Sequence, residues 1–270
     1  MGPVSAIDGR LLRTHFSQHA GDYDRYAAVQ KRVVARLVAQ LTATGPLAGR
    51  VLDVGTGTGT LALELGRGHS NCTFVLTDLA HGMTKTAAQR LPEALPCDGD
   101  ACKLPFVEAS FTAVVSSNVY QWVADLPAAF QEISRVLAPG GRFAVALFGE
   151  RTLFELRDAY LRATIDCSSE QPLHVQDFPS SGEVAFALKS AGLVQQDFLC
   201  FQEIDWHADV PTLLRQLKQI GASNAAANRP KGLASRQVMQ RMITLYEESH
   251  RTPEGVPATY EVLCAVAAKM

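Results

Sequence analysis

Apolar positions along this chain alternate between two rhythms. "RVLDV" (50–54), "CTFVLT" (72–77), "TAVVSS" (112–117) and "RFAVALF" (142–148) are short apolar runs, each bounded by Gly, Pro, Asn or Asp. Such runs predict strands buried on both faces. Helix-length stretches over 59–67, 80–90 and 126–137 separate them. "EALPCDGDA" holds a short further strand, and 195–204 and 259–268 read as closing strands. Strand and helix in alternation predict an α/β fold, doubly wound on a mostly parallel sheet.

The flanks depart from that rhythm. Upstream, Val29, Val33, Leu37 and Leu41 recur every fourth residue, with Lys31, Arg32 and Arg36 on the other face. The spacing predicts an amphipathic helix ended by Gly45-Pro46. Segment 205–255 offers two helices, 209–220 and 235–249, joined by "GASNAAANRPKG". The expected organisation is an N-terminal helical arm (1–45), a core (46–204), a helical insertion (205–255) and a final core strand (256–270).

Composition narrows the class of partner. The 270 residues are 47% hydrophobic and 19% charged, with a formal net charge of -2. Bulk electrostatics therefore favour neither nucleic acid nor a membrane surface. The opening "MGPVSAIDGRLLRTHF" has no apolar h-region and no apolar run approaches a bilayer span, so a cytoplasmic location is expected. Six scattered cysteines form no CxxC pair. Reduced thiols and no metal site are expected.

The chemistry concentrates after the first strand. In "VLDVGTGTGTLALEL", Gly55, Gly57 and Gly59 lie between strand and helix. They allow backbone shapes closed to other residues and let a ligand approach the main chain. A dinucleotide fingerprint, G-x-G-x-x-G, is the competitor, but its sixth position is Thr60 here. Asp53, two residues before the first glycine, suits a cationic ligand rather than a pyrophosphate. Asp78 ends the second strand in "LTDLAHGM", placed to accept ribose hydroxyls. Asp100 follows the likely third strand in "GDACKLPF", and "SSNVYQWV" follows the fourth. Open α/β sheets bind ligands at this carboxyl edge.

This succession resembles the class I S-adenosylmethionine-dependent methyltransferases over about residues 50–150. The resemblance implies a Rossmann-like seven-stranded sheet with Asp53, Gly55, Thr56, Gly57 and Gly59 around the cofactor's methionine moiety. It implies Asp78 and Leu79 at the ribose and Met83 on the adenine. Asp100 and Ala101 would stand at the adenine edge, and Asn118 beneath the sulfonium.

The flanks carry a narrower resemblance. "FSQHAGDYDRYAAVQ", "SNVYQWVADLPAAFQEISRVLAPGG", "FGERTLFELRDAY", "LKQIGASN" and "PATYEVL" occur in series. Together they look like the malonyl-acyl-carrier-protein O-methyltransferases of biotin synthesis, over roughly 10–268. The implied reaction is methyl esterification of a malonyl thioester's free carboxylate, which is already ionised at neutral pH and requires no general base. The acceptor would be carried by acyl carrier protein or CoA. Arg is the favoured clamp for such a carboxylate. Arg229, in the insertion's loop, is the first choice and Arg151 the second. The insertion's seven Lys/Arg (215, 218, 229, 231, 236, 241, 251) against five acids suit docking of an acidic carrier.

Stretch 16–30 has two readings. Alone, it is a solvated helix start. Beside a methyltransferase site it is a lid, with Tyr23 over the sulfonium and Gln30 fixing the arm to the methionine end. Other small-molecule carboxyl or quinone-precursor methyltransferases, and a non-catalytic cofactor-binding assembly factor, are the alternatives.

Overall fold

The computed structural model describes residues 9–168, 177–219 and 236–270. The chain opens with α1 (Gly9–His19), α2 (Tyr23–Tyr26) and α3 (Ala28–Ala43). The core follows as β1 (Gly49–Val54), α4 (Thr60–Gly68), β2 (Cys72–Asp78), α5 (His81–Arg90), β3 (Leu95–Asp98) and β4 (Phe111–Ser117). Then come a single 3₁₀ turn (Tyr120–Trp122), α6 (Leu126–Val136), β5 (Leu137–Phe148), α7 (Phe154–Asp166) and α8 (Ser181–Ser190). The last described elements are β6 (Leu193–His207), α9 (Val210–Gln219), α10 (Arg236–His250) and β7 (Val256–Lys269).

The seven strands form one sheet in the order β3-β2-β1-β4-β5-β7-β6. β1 pairs in parallel with β2 and β4, and β4 with β5. β7 runs antiparallel to both its neighbours, β5 and β6. Every strand expected from the apolar runs is present. β5 starts earlier than expected, at Leu137, because Leu137 pairs with Phe111 across a register shift.

Alternate side chains of each strand enter opposite cores, as the pleat requires. Val51, Ala113, Val115, Ala144 and Ala146 meet α3, α4, α7 and α10 on one face. Leu52, Val54, Val114, Phe143 and Val145 meet α6 and α8 on the other. With both faces covered, the central strands read as unbroken apolar runs.

Two helix starts are set by local capping. The Asp125 carboxylate accepts from the Ala128 N–H at 2.9 Å, with Pro127 just inside α6. Ser180 and Glu183 form a reciprocal capping box on α8. α6 then presents Leu126, Ala129, Phe130, Ile133 and Val136 along one stripe, all buried. The Phe130 ring stands edge-on to both Tyr120 and Phe143, 5.1 Å between centroids in each pair.

The arm is fastened at both ends. α3 is tied to β6 by Arg32 Nε donating to Glu203 Oε2 at 2.6 Å and by Gln40 Nε2 donating to Asp197 Oδ2 at 3.0 Å. α1 comes close enough to α5 that a Cβ on Gly82 would meet the Ser17 carbonyl at 2.7 Å. Stretch 16–30 is not one continuous helix. It closes α1, turns, makes the short α2 and enters α3. No described helix is long and apolar enough to cross a membrane.

Phe130 is fully buried at the junction of three rings. Phe130→Ala is expected to cost about 3–5 kcal/mol of unfolding free energy, read from the denaturant midpoint at unchanged slope.

Candidate functional site

The turn from β1 into α4 shapes the site. Gly55, Gly57 and Gly59 have φ of 65°, 55° and 82°, in the left-handed region that favours glycine. A Cβ on Gly55 would overlap the Val119 side chain, and one on Gly59 would press on Ala87 and Leu91 at 3.2 Å. Around Gly57 the space is open. The Thr56 N–H donates to the Thr77 carbonyl at 2.9 Å. The Gly57 N–H donates to Asp78 Oδ2 at 3.0 Å. The loop is thus pinned to the end of β2.

Two carboxylates are held there at an electrostatic cost. Asp53 is 1% exposed. Burial pushes its pKa up to about 7, against the lowering effect of the Thr56 hydroxyl, which donates to Oδ2 at 2.9 Å, and of the Ala62 N–H. Burial likewise pushes Asp78 up to about 6, opposed by the N–H groups of Ala80 and Gly57 and reinforced by Asp98. Neither carboxylate has a cationic partner among these interactions. Buried acids without one are destabilising until a positive charge arrives.

Asn118 adds a third polar group. It follows β4 at φ 60°, held by its N–H to the Ala146 carbonyl at 2.8 Å. Its Nδ2 donates to Ser117 Oγ at 2.8 Å. Its Oδ1 is buried with no hydrogen-bond partner among the described residues.

These groups line one cavity of about 320 Å³. The structure brings together in it Tyr23, Gln30, Asp53, Gly55, Thr56, Gly57, Asp78, Leu79, Met83, Asp100, Ala101 and Asn118. Gly59 is not in the lining; it caps α4 and lets α4 approach α5. Arg151 is not in the lining either. Its N–H donates to Glu261 Oε2 at 3.0 Å. Arg229 lies outside the described residues.

The arm covers this cavity. Gly9, Leu12, Arg13 and Phe16 turn one face of α1 towards it, and Ala27, Gln30, Lys31 and Val34 do so from α3. The Phe16 ring stands edge-on to Tyr23 at 6.3 Å and to Trp122 at 6.0 Å. Burial, with Asp78 and Asp24 nearby, raises the Tyr23 phenol above its ordinary value. The phenol therefore stays neutral at physiological pH.

Several of these residues escape sequence reading. Trp122 follows the fourth strand in a short 3₁₀ turn, with no local pattern to show that its ring meets Phe16 of the arm. Arg13 is on a helix with no apolar rhythm to mark its inner face. Asp24 accepts from Thr58 Oγ1 at 2.7 Å and from Arg90 at 2.7 Å. Its position directly after Tyr23 was the one available hint.

Comparison with known proteins gives the family. The profile of the "Methyltransferase domain" family matches residues 52–145. The malonyl-[acyl-carrier protein] O-methyltransferase of Geobacter sulfurreducens is 41% identical over 96% of this chain and 98% of its own length. The chain belongs to the malonyl-[acyl-carrier protein] O-methyltransferase family. Solved structures share the fold of this O-methyltransferase family member. A methyltransferase from Bacillus halodurans superposes with a TM-score of 0.61 at 18% identity, covering 87% of this chain and 98% of that one. A geranyl diphosphate methyltransferase solved with SAM gives 0.53 at 16% identity, covering 99% and 97%.

The raised pKa of Asp53 has a signed consequence for this methyltransferase without ligand. The folded value, about 7, lies above the unfolded one, so the folded state holds more protons and loses stability as pH rises from about 4 to 7. Asp53→Asn removes that loss. Its stability relative to wild type is expected to rise from about pH 4 to about pH 7 in denaturant melts and then level off, and a difference independent of pH would contradict the assignment.

Proposed function

We propose that this protein transfers a methyl group from S-adenosylmethionine to the free carboxylate of malonyl-acyl carrier protein, in the cytoplasm, for biotin synthesis. The observation that carries the reading is the near full-length match to the Geobacter sulfurreducens relative. The residues of the cavity fit such a cofactor. Two buried carboxylates and the unpartnered Asn118 Oδ1 favour positive charge, and the open space at Gly57 admits close approach to the backbone.

When bound, S-adenosylmethionine supplies a methyl group activated by sulfonium charge. The chain's own residues supply placement and dryness. Asp53 and Asn118 would favour the cationic methionine end, Asp78 would accept from the ribose, and Met83, 2% exposed, would hold the adenine with Asp100 and Ala101. Gln30 holds the arm to the methionine end. Phe16, Tyr23 and Trp122 exclude water, and Tyr23 offers its hydroxyl to the acceptor. The malonyl carboxylate is ionised at neutral pH, so no residue need remove a proton; orientation does the catalysis.

The acceptor is an anion and needs cations on its path. Arg229 is the proposed clamp. Among the described cavity-lining residues, Arg13 and Lys31 are basic. The arm (1–45) and insertion (205–255) act as lids on the core, and the insertion's basic helices meet the acidic carrier. Electrostatic steering would speed that encounter and weaken in salt.

Incubation with methyl-labelled S-adenosylmethionine and malonyl-acyl carrier protein, malonyl-CoA or free small acids tests the reading. Base-labile label on the malonyl thioester is expected. Transfer to free acids alone, or none, would overturn it. Within the same assay, Tyr23→Phe is expected to slow transfer about threefold by loss of one hydrogen bond. Tyr23→Ala should slow it about a hundredfold, because it also admits water and loosens the acceptor. Equal, wild-type rates in both variants would remove Tyr23 from the site.

A further inference from the structure

Next to Tyr23, the arm carries a carboxylate at the cavity's edge, and both of its oxygens are engaged. Asp24 Oδ1 accepts from Thr58 Oγ1 at 2.7 Å. Its Oδ2 accepts from the Arg90 guanidinium at 2.7 Å. The same Arg90 nitrogen donates to the Thr58 carbonyl at 2.9 Å. The Asp24 carbonyl accepts from Lys31 Nζ at 2.6 Å, across the break between α2 and α3. Thr58 is therefore gripped by side chain and carbonyl, and it lies between Gly57 and Gly59. One residue away, the Gly57 N–H is held by Asp78 from inside the cavity.

We propose that Asp24 is a positioning residue: with Arg90 it latches the N-terminal arm to the glycine loop, so that bound cofactor and closed arm stabilise each other. The argument is one of connectivity. Tyr23, over the cavity, and Asp24, on the loop, are adjacent in a single short helix, so neither moves without the other. A ligand that orders Gly57 and Asp78 orders Thr58, and Thr58 is the arm's anchor. Opening the arm to release a ligand breaks the Asp24–Thr58 and Asp24–Arg90 contacts together. The pair is about one-third exposed on each side, which suits a contact that must break and re-form: a charge-assisted bond there is strong enough to bias the arm and weak enough to open.

The proposal rests on S-adenosylmethionine as the ligand, so its test uses that ligand alone, with no acyl carrier. Release of S-adenosylmethionine from the full chain is followed by stopped flow for wild type, Asp24→Asn, Asp24→Glu, Arg90→Gln and the double variant Asp24→Asn/Arg90→Gln. Trypsin cleavage after Arg25, an exposed site, is timed with and without S-adenosylmethionine. Release is expected to be about fivefold faster in Asp24→Asn and in Arg90→Gln, and the double variant no faster than either. Asp24→Glu should recover part of the loss. Cofactor should slow cleavage at Arg25 in wild type and do so less in the variants, an effect that a uniform loss of stability does not produce. Wild-type release and protection in Arg90→Gln, or additive effects in the double variant, would overturn the latch. Failure of the wild-type chain to bind S-adenosylmethionine would overturn the cofactor reading beneath it.

Discussion

Everything at the carboxyl edge depends on one short piece of backbone at positive φ. Between β1 and α4 the chain must reverse with no Cβ at Gly55, because Val119 already fills that space. That reversal turns the Gly57 N–H towards the end of β2, where it meets Asp78. It also brings the Thr58 hydroxyl to Asp24 of the arm. A single turn thus joins the cavity floor, the neighbouring strand and the cover. A bulkier residue at Gly55 would disturb all three.

The polar groups here are arranged for a charge that the protein does not itself provide. Burial makes ionised Asp53 and Asp78 unfavourable, and the buried Asn118 carbonyl oxygen has no partner among the described residues. A chain selected for stability alone would pair or replace these groups. Their presence in a cavity of about 320 Å³ shows where stability is sacrificed to recognition. The cost is offset elsewhere, in cores on both faces of the sheet whose side chains are almost wholly buried.

Much of this was legible in the sequence, for identifiable reasons. Strands buried on both faces cannot hide, since their apolar runs are unbroken. The glycine loop and the acids at the carboxyl ends of β1, β2 and β3 follow from the rule that ligands sit at strand ends. What stayed illegible was contact between distant segments. Asp24 and Arg90 belong to different elements, and neither has a local partner to suggest the other. Gly59 looked like a ligand contact but serves the packing of α4 on α5, because regular spacing does not tell which glycine faces outward. The burial of Ala20 against Ala80 and Met83, where stretch 16–30 turns, is of the same kind: nothing near it in sequence marks it.

The antiparallel strand β7 sets a schedule for the molecule's manufacture. β6 pairs only with β7, and β5 reaches β6 only through β7. On a ribosome β6, which ends at His207, emerges well before β7, which starts at Val256. At about 5–20 residues per second, β6 waits for a few seconds with both its edges unpaired. Its unpaired backbone is then open to wrong partners, next to Val194, Leu199, Ile204 and Trp206, which stay exposed even in the finished sheet. Until β7 arrives, the sheet stays open at β5 and β6 has no partner to close it.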